Sequence, residues 1–183
     1  MKKIVLRFGL LSGVILMSMS AVMLPLCMNG TIDFDHSELL GYSSMVLSFL
    51  LVFFGIRSYR DNVAGGTVGF GKAFQVGILI TLITCAMYVV AWQIAYNFFF
   101  PDFLDHYNAY ALAKMRAAGE SEAAIREATA QMASFAKLYA NPLFNIGITF
   151  LEVFPVGLVV TLVSAAILRR KPGREAPEVA LPA

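Results

Sequence analysis

An all-α integral membrane bundle is the fold this sequence predicts, with four transmembrane helices and an extracytoplasmic helical hairpin between the third and fourth. Three observations carry that expectation. Of 183 residues, 58% are apolar and 14% charged, against about 45–50% and about 25% in an ordinary soluble domain. Four apolar stretches are long enough to cross a bilayer, whose hydrocarbon core takes roughly 20 helical residues at about 1.5 Å each. Finally, basic residues gather in alternate connections, which fixes an orientation.

The spans fall at about 8–28, 39–56, 74–100 and 143–168, and only the last holds a charge, Glu152. The first resembles a signal peptide, with Lys2 and Lys3 before an apolar run and small residues at Ser18, Ser20 and Ala21. Its apolar stretch continues to Met28, beyond the usual h-region of about 7–15 residues, so a retained anchor is expected. Lipoprotein processing at Cys27 fails because bulky Leu26 precedes it.

Ten of the fourteen basic residues, Lys2, Lys3, Arg7, Arg57, Arg60, Lys72, Arg169, Arg170, Lys171 and Arg174, would share one side. By the positive-inside rule both termini are then cytoplasmic. Residues 1–171 form a single membrane domain, and 172–183 read as a disordered cytoplasmic tail.

The connection at about 102–141 is too long to lack structure, and it is rich in helix-forming Ala. Two helices are expected there: Leu104 to Ala118, stopping near Gly119, and a second from a Ser121 cap to Ala140. Ile125, Ala128, Met132, Phe135 and Tyr139 give the second an apolar stripe. Asn141 and Pro142 suit the cap and first position of the last span.

Within lipid, helices associate through small residues and interhelical hydrogen bonds. Such faces run through Gly9, Gly13 and Ser20; Gly41, Ser44, Ser48 and Gly55; Gly77, Thr81, Thr84 and Tyr88; and Asn145, Thr149 and Glu152. The Gly9 and Gly13 pair has dimerisation spacing, but packing within the chain is expected. Inserting an ionisable group near mid-membrane costs about 2.5–3.5 kcal/mol on translocon scales, so Glu152 calls for a partner or a watered pocket. Counting inward from Phe144 and Phe100 brings Glu152 level with Gln93, with Ser48, Tyr88, Asn145 and Thr149 completing a polar cluster. Pro155 is expected to kink the helix and free a backbone carbonyl beside Glu152.

Other motifs are weaker. Gly66, Gly71 and Lys72 have phosphate-loop spacing, but Ala73 stands where a magnesium-binding hydroxyl is needed, so no nucleotide is expected. A net charge of +2 gives no reason to expect nucleic acid. Asp33, Asp35 and His36, and again Asp102, Asp105 and His106, are metal-capable residue types without the spacing of a metal site, and read as solvated loop charge. Cys27 and Cys85 suggest no disulfide framework, and no nucleophile constellation is present, so neither cofactor nor enzymatic activity is expected.

The chain resembles domain of unknown function 4199, a family of small bacterial four-helix membrane proteins. The resemblance rests on Gly55-Ile56-Arg57-Ser58-Tyr59-Arg60, Phe70-Gly71-Lys72-Ala73-Phe74, Glu152-Val153-Phe154-Pro155-Val156-Gly157 and Ser164-Ala165-Ala166-Ile167-Leu168-Arg169. It implies a bacterial cytoplasmic membrane but no activity. The leading functional expectation is a non-enzymatic protein that acts by assembly, as a homo-oligomer or with a membrane-protein partner, through the hairpin's apolar stripe. A small transporter or channel subunit using Glu152 is the alternative; a membrane enzyme is a further one.

Overall fold

A computed structural model describes residues 1–170; the tail expected at 172–183 lies outside them. Helices dominate: α1 (Lys2–Met28), α2 (Phe34–Asn62), α3 (Phe70–Ile94), α4 (Phe103–Ala117), α5 (Glu122–Tyr139) and α6 (Pro142–Leu168). Of these, α1, α2, α3 with the turn that follows it, and α6 are long and apolar enough to cross a membrane. Each begins before its apolar run as sequence alone drew it, because polar flanking residues can continue a helix past the point where lipid ends.

Local chemistry sets several boundaries. Asp33 caps α2 by accepting the His36 backbone N–H at 2.8 Å, Ser121 caps α5 by accepting from Ala124 at 3.2 Å, and Asn141 accepts from Leu143 at 2.9 Å ahead of Pro142. Such caps satisfy backbone donors that the first helical turn leaves free. Between α4 and α5 the chain reverses at Gly119, whose φ of +75° is one that L side chains avoid. Both α1 and α6 continue through an internal proline, Pro25 and Pro155.

The third span departs from a single α-helix. Residues Ala95–Phe99 form a π-helical turn in which Phe100 N–H reaches the Ala95 carbonyl at 2.9 Å. The Asn97 side chain donates to the Gln93 carbonyl at 2.7 Å, competing for the acceptor that an α-helix would reserve for Asn97's own N–H. A side chain inserted into the backbone ladder is a recognised cause of such local widening.

The long helices form a ring in the order α1, α2, α6, α3, with α2 and α3 also touching across its centre. Its core holds Phe49, Val52, Ile56, Val76, Ile80 and Val153, all fully buried. Glycine permits the close approach: a Cβ on Gly157 would lie 2.5 Å from Thr81 Cγ2, and one on Gly77 2.8 Å from Thr161 Cγ2. Gly9 and Gly13 face Ile83 and Met87 of α3 in the same way, so the pair with dimerisation spacing is occupied within the chain. The end bearing Arg57, Arg60 and Arg169 is further tied by Arg170 N–H to the Val68 carbonyl, 2.9 Å.

Packing is tight from this basic end to about mid-helix and then loosens. From Glu38 to Ser43 no residue of α2 is buried, and α3 has no buried residue after Val89. The ring thus opens toward the hairpin. Gly157→Ala should destabilise the protein by about 1–3 kcal/mol through overpacking, whereas Gly41→Ala, which meets nothing within 4 Å, should leave thermal unfolding in detergent at or slightly above wild type.

Candidate functional site

At the hairpin end, α3 and α6 are joined by polar side chains. Gln93 Nε2 donates to Asn145 Oδ1 at 2.6 Å. One turn along α6, Thr149 donates to the Asn145 carbonyl at 2.8 Å. Asn145 and Thr149 are both buried, so each polar group is matched by another where water is scarce. Beside this junction Trp92 Nε1 donates to the Tyr139 hydroxyl at 2.8 Å, and the Tyr96 and Tyr139 rings meet edge to face at 5.3 Å. This contact attaches α5 to α3.

Ser48 belongs to a different seam. Its hydroxyl donates to the Ser12 carbonyl while Ser12 Oγ donates to the Ser48 carbonyl at 2.9 Å, a reciprocal clasp between α1 and α2 in which both residues are fully buried. Thr81 and Thr161 hydroxyls lie 2.9 Å apart on the α3–α6 seam. Tyr88 is half-buried against the core.

Glu152 stands apart from the expected pairing. Its side chain is exposed, and among the described residues it makes no hydrogen bond or salt bridge, so the meeting with Gln93 does not occur. The level count took Phe100 and Phe144 as lying at one depth, and the observed pairing shows that they do not. Gln93 therefore pairs with Asn145, seven residues before Glu152, or about 10 Å along a helix. Glu152 lies between exposed Leu151 and fully buried Val153 on α6.

Glu38, in the first turns of α2, is exposed and makes no salt bridge among the described residues. Nearby, Asp35 is paired with Lys114 of α4, and the Phe34 ring meets Tyr107 and Tyr110 at 5.4 and 5.2 Å. These contacts dock the hairpin onto α2. Asp33 is engaged by His36, and among the described residues no group of three His, Cys, Asp or Glu comes together to hold a metal. Lys72 donates to Gln75 at 2.9 Å rather than toward the Gly66 turn.

The profile of a family described as "Protein of unknown function (DUF4199)" matches residues 7–170. The chain belongs to that family. No curated protein and no solved structure matches it. In this DUF4199 protein, Gly55 and Gly157 from the sequence stretches quoted above sit at close helix contacts, and Ala73 is fully buried.

Two residues of the DUF4199 chain escaped the sequence reading. Ser12 sits beside Gly13 in an apolar run and carried no signal of its own. Glu38 stands six residues ahead of Ser44, the first buried position of α2, and carried no signal beyond its charge.

Two outcomes test this geometry. Asn145→Ala should cost about 1 kcal/mol, within the range for interhelical polar pairs in membranes, read as a lower unfolding temperature in detergent. The His36 backbone N–H, and then its ring, hold the Asp33 carboxyl below its ordinary value of 3.8. A depressed folded-state pKa means the cap's stabilisation is present above 3.8 and is lost as pH falls through the lower folded value. Amide protection of His36 should therefore drop only in strong acid, and Asp33→Asn should abolish that step.

Proposed function

We propose that this protein is a non-enzymatic membrane protein that passes a proton or a small cationic solute through the opening beside Glu152, as a small transporter or channel subunit. The carrying observation is Glu152 itself, an ionisable side chain within the last span that makes no hydrogen bond or salt bridge among the described residues. Ionisable groups within membrane spans are costly and mark ion or proton paths more often than ordinary packing positions. Ten residues after Pro142, Glu152 lies about 15 Å along its helix, deep enough for its charge to matter to a permeating species.

The membrane we propose is the bacterial cytoplasmic membrane, with both termini in the cytoplasm. Support comes from Arg57, Arg60, Lys72, Arg169 and Arg170 clustering at one end of the bundle. Assembly through the hairpin stripe, as a homo-oligomer or with another membrane protein, is the second reading. It rests on Phe135, which is 39% exposed; Ile125 and Tyr139 of the same stripe are buried by the chain itself.

Reconstituted into liposomes, the purified protein should collapse an imposed proton or cation gradient, and Glu152→Gln should slow that flux at least tenfold without altering the unfolding temperature. Absence of flux from wild type, or equal flux from the variant, rejects the proposal. In a background where Cys27 and Cys85 are replaced by Ala, Glu152→Cys should react with a membrane-impermeant maleimide added on the hairpin side. Protection from the reagent would show the opening to be closed to water.

A further inference from the structure

The basic end of the bundle is stepped. Antiparallel α3 and α6 keep one register from Val68–Arg170 through Thr81–Thr161 to Gln93–Asn145, so their basic ends coincide. Parallel α1 joins this ladder partway along: Gly9 packs on Ile83, its carbonyl accepts from the Thr84 hydroxyl at 3.3 Å, and Gly13 packs on Met87. Arg7 and Thr81 each stand two residues before the first of these contacts and are therefore level. Thr81 follows Phe70, the first residue of α3, by eleven positions, about 16 Å at helical rise. Arg7 thus stands well inside the length that α3 and α6 span.

Arg7 is exposed at that level. At about 100° per residue it projects from the side of α1 opposite Val5, Gly9, Ser12 and Leu16, which are buried against the bundle. Lys3 precedes it by one turn on this outer face, and Leu10, Leu11 and Val14 follow it at spacings of three, four and seven, all exposed. Neither Lys3 nor Arg7 has a salt bridge among the described residues, and Asp61, the carboxylate at this end, is held by Arg60 at 2.7 Å. An arginine that faces hydrocarbon without a counter-charge is unfavourable, and a guanidinium fork matches the oxygens of a phosphodiester.

We propose that Lys3 and Arg7 bind the headgroup of an anionic phospholipid whose acyl chain lies along Leu10, Leu11 and Val14. Two cations followed by three apolar side chains on one helix face repeat the order of chemistries in such a lipid. Free phosphate would engage only the first part of that face, and a choline headgroup would bring its own ammonium against Lys3. Headgroups drawn to the level of Arg7 thin the lipid on the α1 flank alone, while α3 and α6 extend further toward the cytoplasm. The site is independent of the transport reading, because nothing in it involves Glu152.

Full-length protein in a neutral detergent is titrated with phosphatidylglycerol, with phosphatidylcholine of the same chains and with glycerol phosphate, which carries the charge without the chains. Phosphatidylglycerol should raise the unfolding temperature saturably and persist as a bound adduct in native mass spectra, while the other two do neither. Arg7→Gln should weaken phosphatidylglycerol binding at least fivefold. Arg116→Gln, an equal loss of charge at an exposed position of α4, should leave it unchanged. No saturable response to phosphatidylglycerol, an equal response to phosphatidylcholine or to glycerol phosphate, full binding by Arg7→Gln, or an equal loss in Arg116→Gln overturns the site. The wild-type comparison among the three ligands stands even if Arg7→Gln fails to fold.

Discussion

Lipid tails are as apolar as leucine, so these helices gain nothing from burying oily surface against one another and must be held by close contact between small residues and by hydrogen bonds across the seams. Gly77 and Gly157 bring the backbones of α3, α6 and α2 to distances at which a single added carbon would collide with Thr81, Phe49 or Val52. That approach lets the Thr81 and Thr161 hydroxyls meet. On the other side of the ring, Gly9 and Gly13 admit Ile83 and Met87, and Ser12 with Ser48 joins α1 to α2. Tight apposition brings buried hydroxyls within bonding range of a carbonyl or another hydroxyl, and among the described residues no buried side-chain nitrogen or oxygen is left without a partner.

Glu152 gains its chemical interest from that background. Asn145, Thr149 and Gln93 all have partners, whereas Glu152 has none among the described residues. The difference is positional. Polar residues that lie on the glycine seams are drawn into contact, while Glu152 makes no such contact among the described residues. The hairpin sits above this opening, fastened to α3 by Trp92 and Tyr139 and to α2 by Phe34, Asp35 and Lys114. Its two attachments use aromatic rings and an exposed ion pair, which are strong enough to orient it and weak enough to exchange.

Much of the fold was legible before any coordinates. Apolar runs located the four long helices, the Ser121 and Asn141 caps marked two helix starts, and Gly119 marked the break in the hairpin. Each depends on neighbours in the chain, which the sequence lists directly. Less of the candidate site could be read. Level-counting assumed that Phe100 and Phe144 lie at one depth, whereas Gln93, seven residues in from Phe100, meets Asn145, one residue in from Phe144. Ser48 was grouped with Glu152 by depth alone, although its direction around α2 sends it to Ser12.

The sequence by itself determined that four segments are long and apolar enough for a membrane and that basic residues gather at one end, because hydropathy and charge act residue by residue over distances shorter than a helix. It also supplied the small residues without saying which would meet. Only the tertiary structure decided the pairing of seams, including the Ser12–Ser48 clasp and the Gln93–Asn145 bond. Those depend on rotation and tilt between helices, which change with a single widened turn or a single glycine contact and leave no periodic trace along the chain.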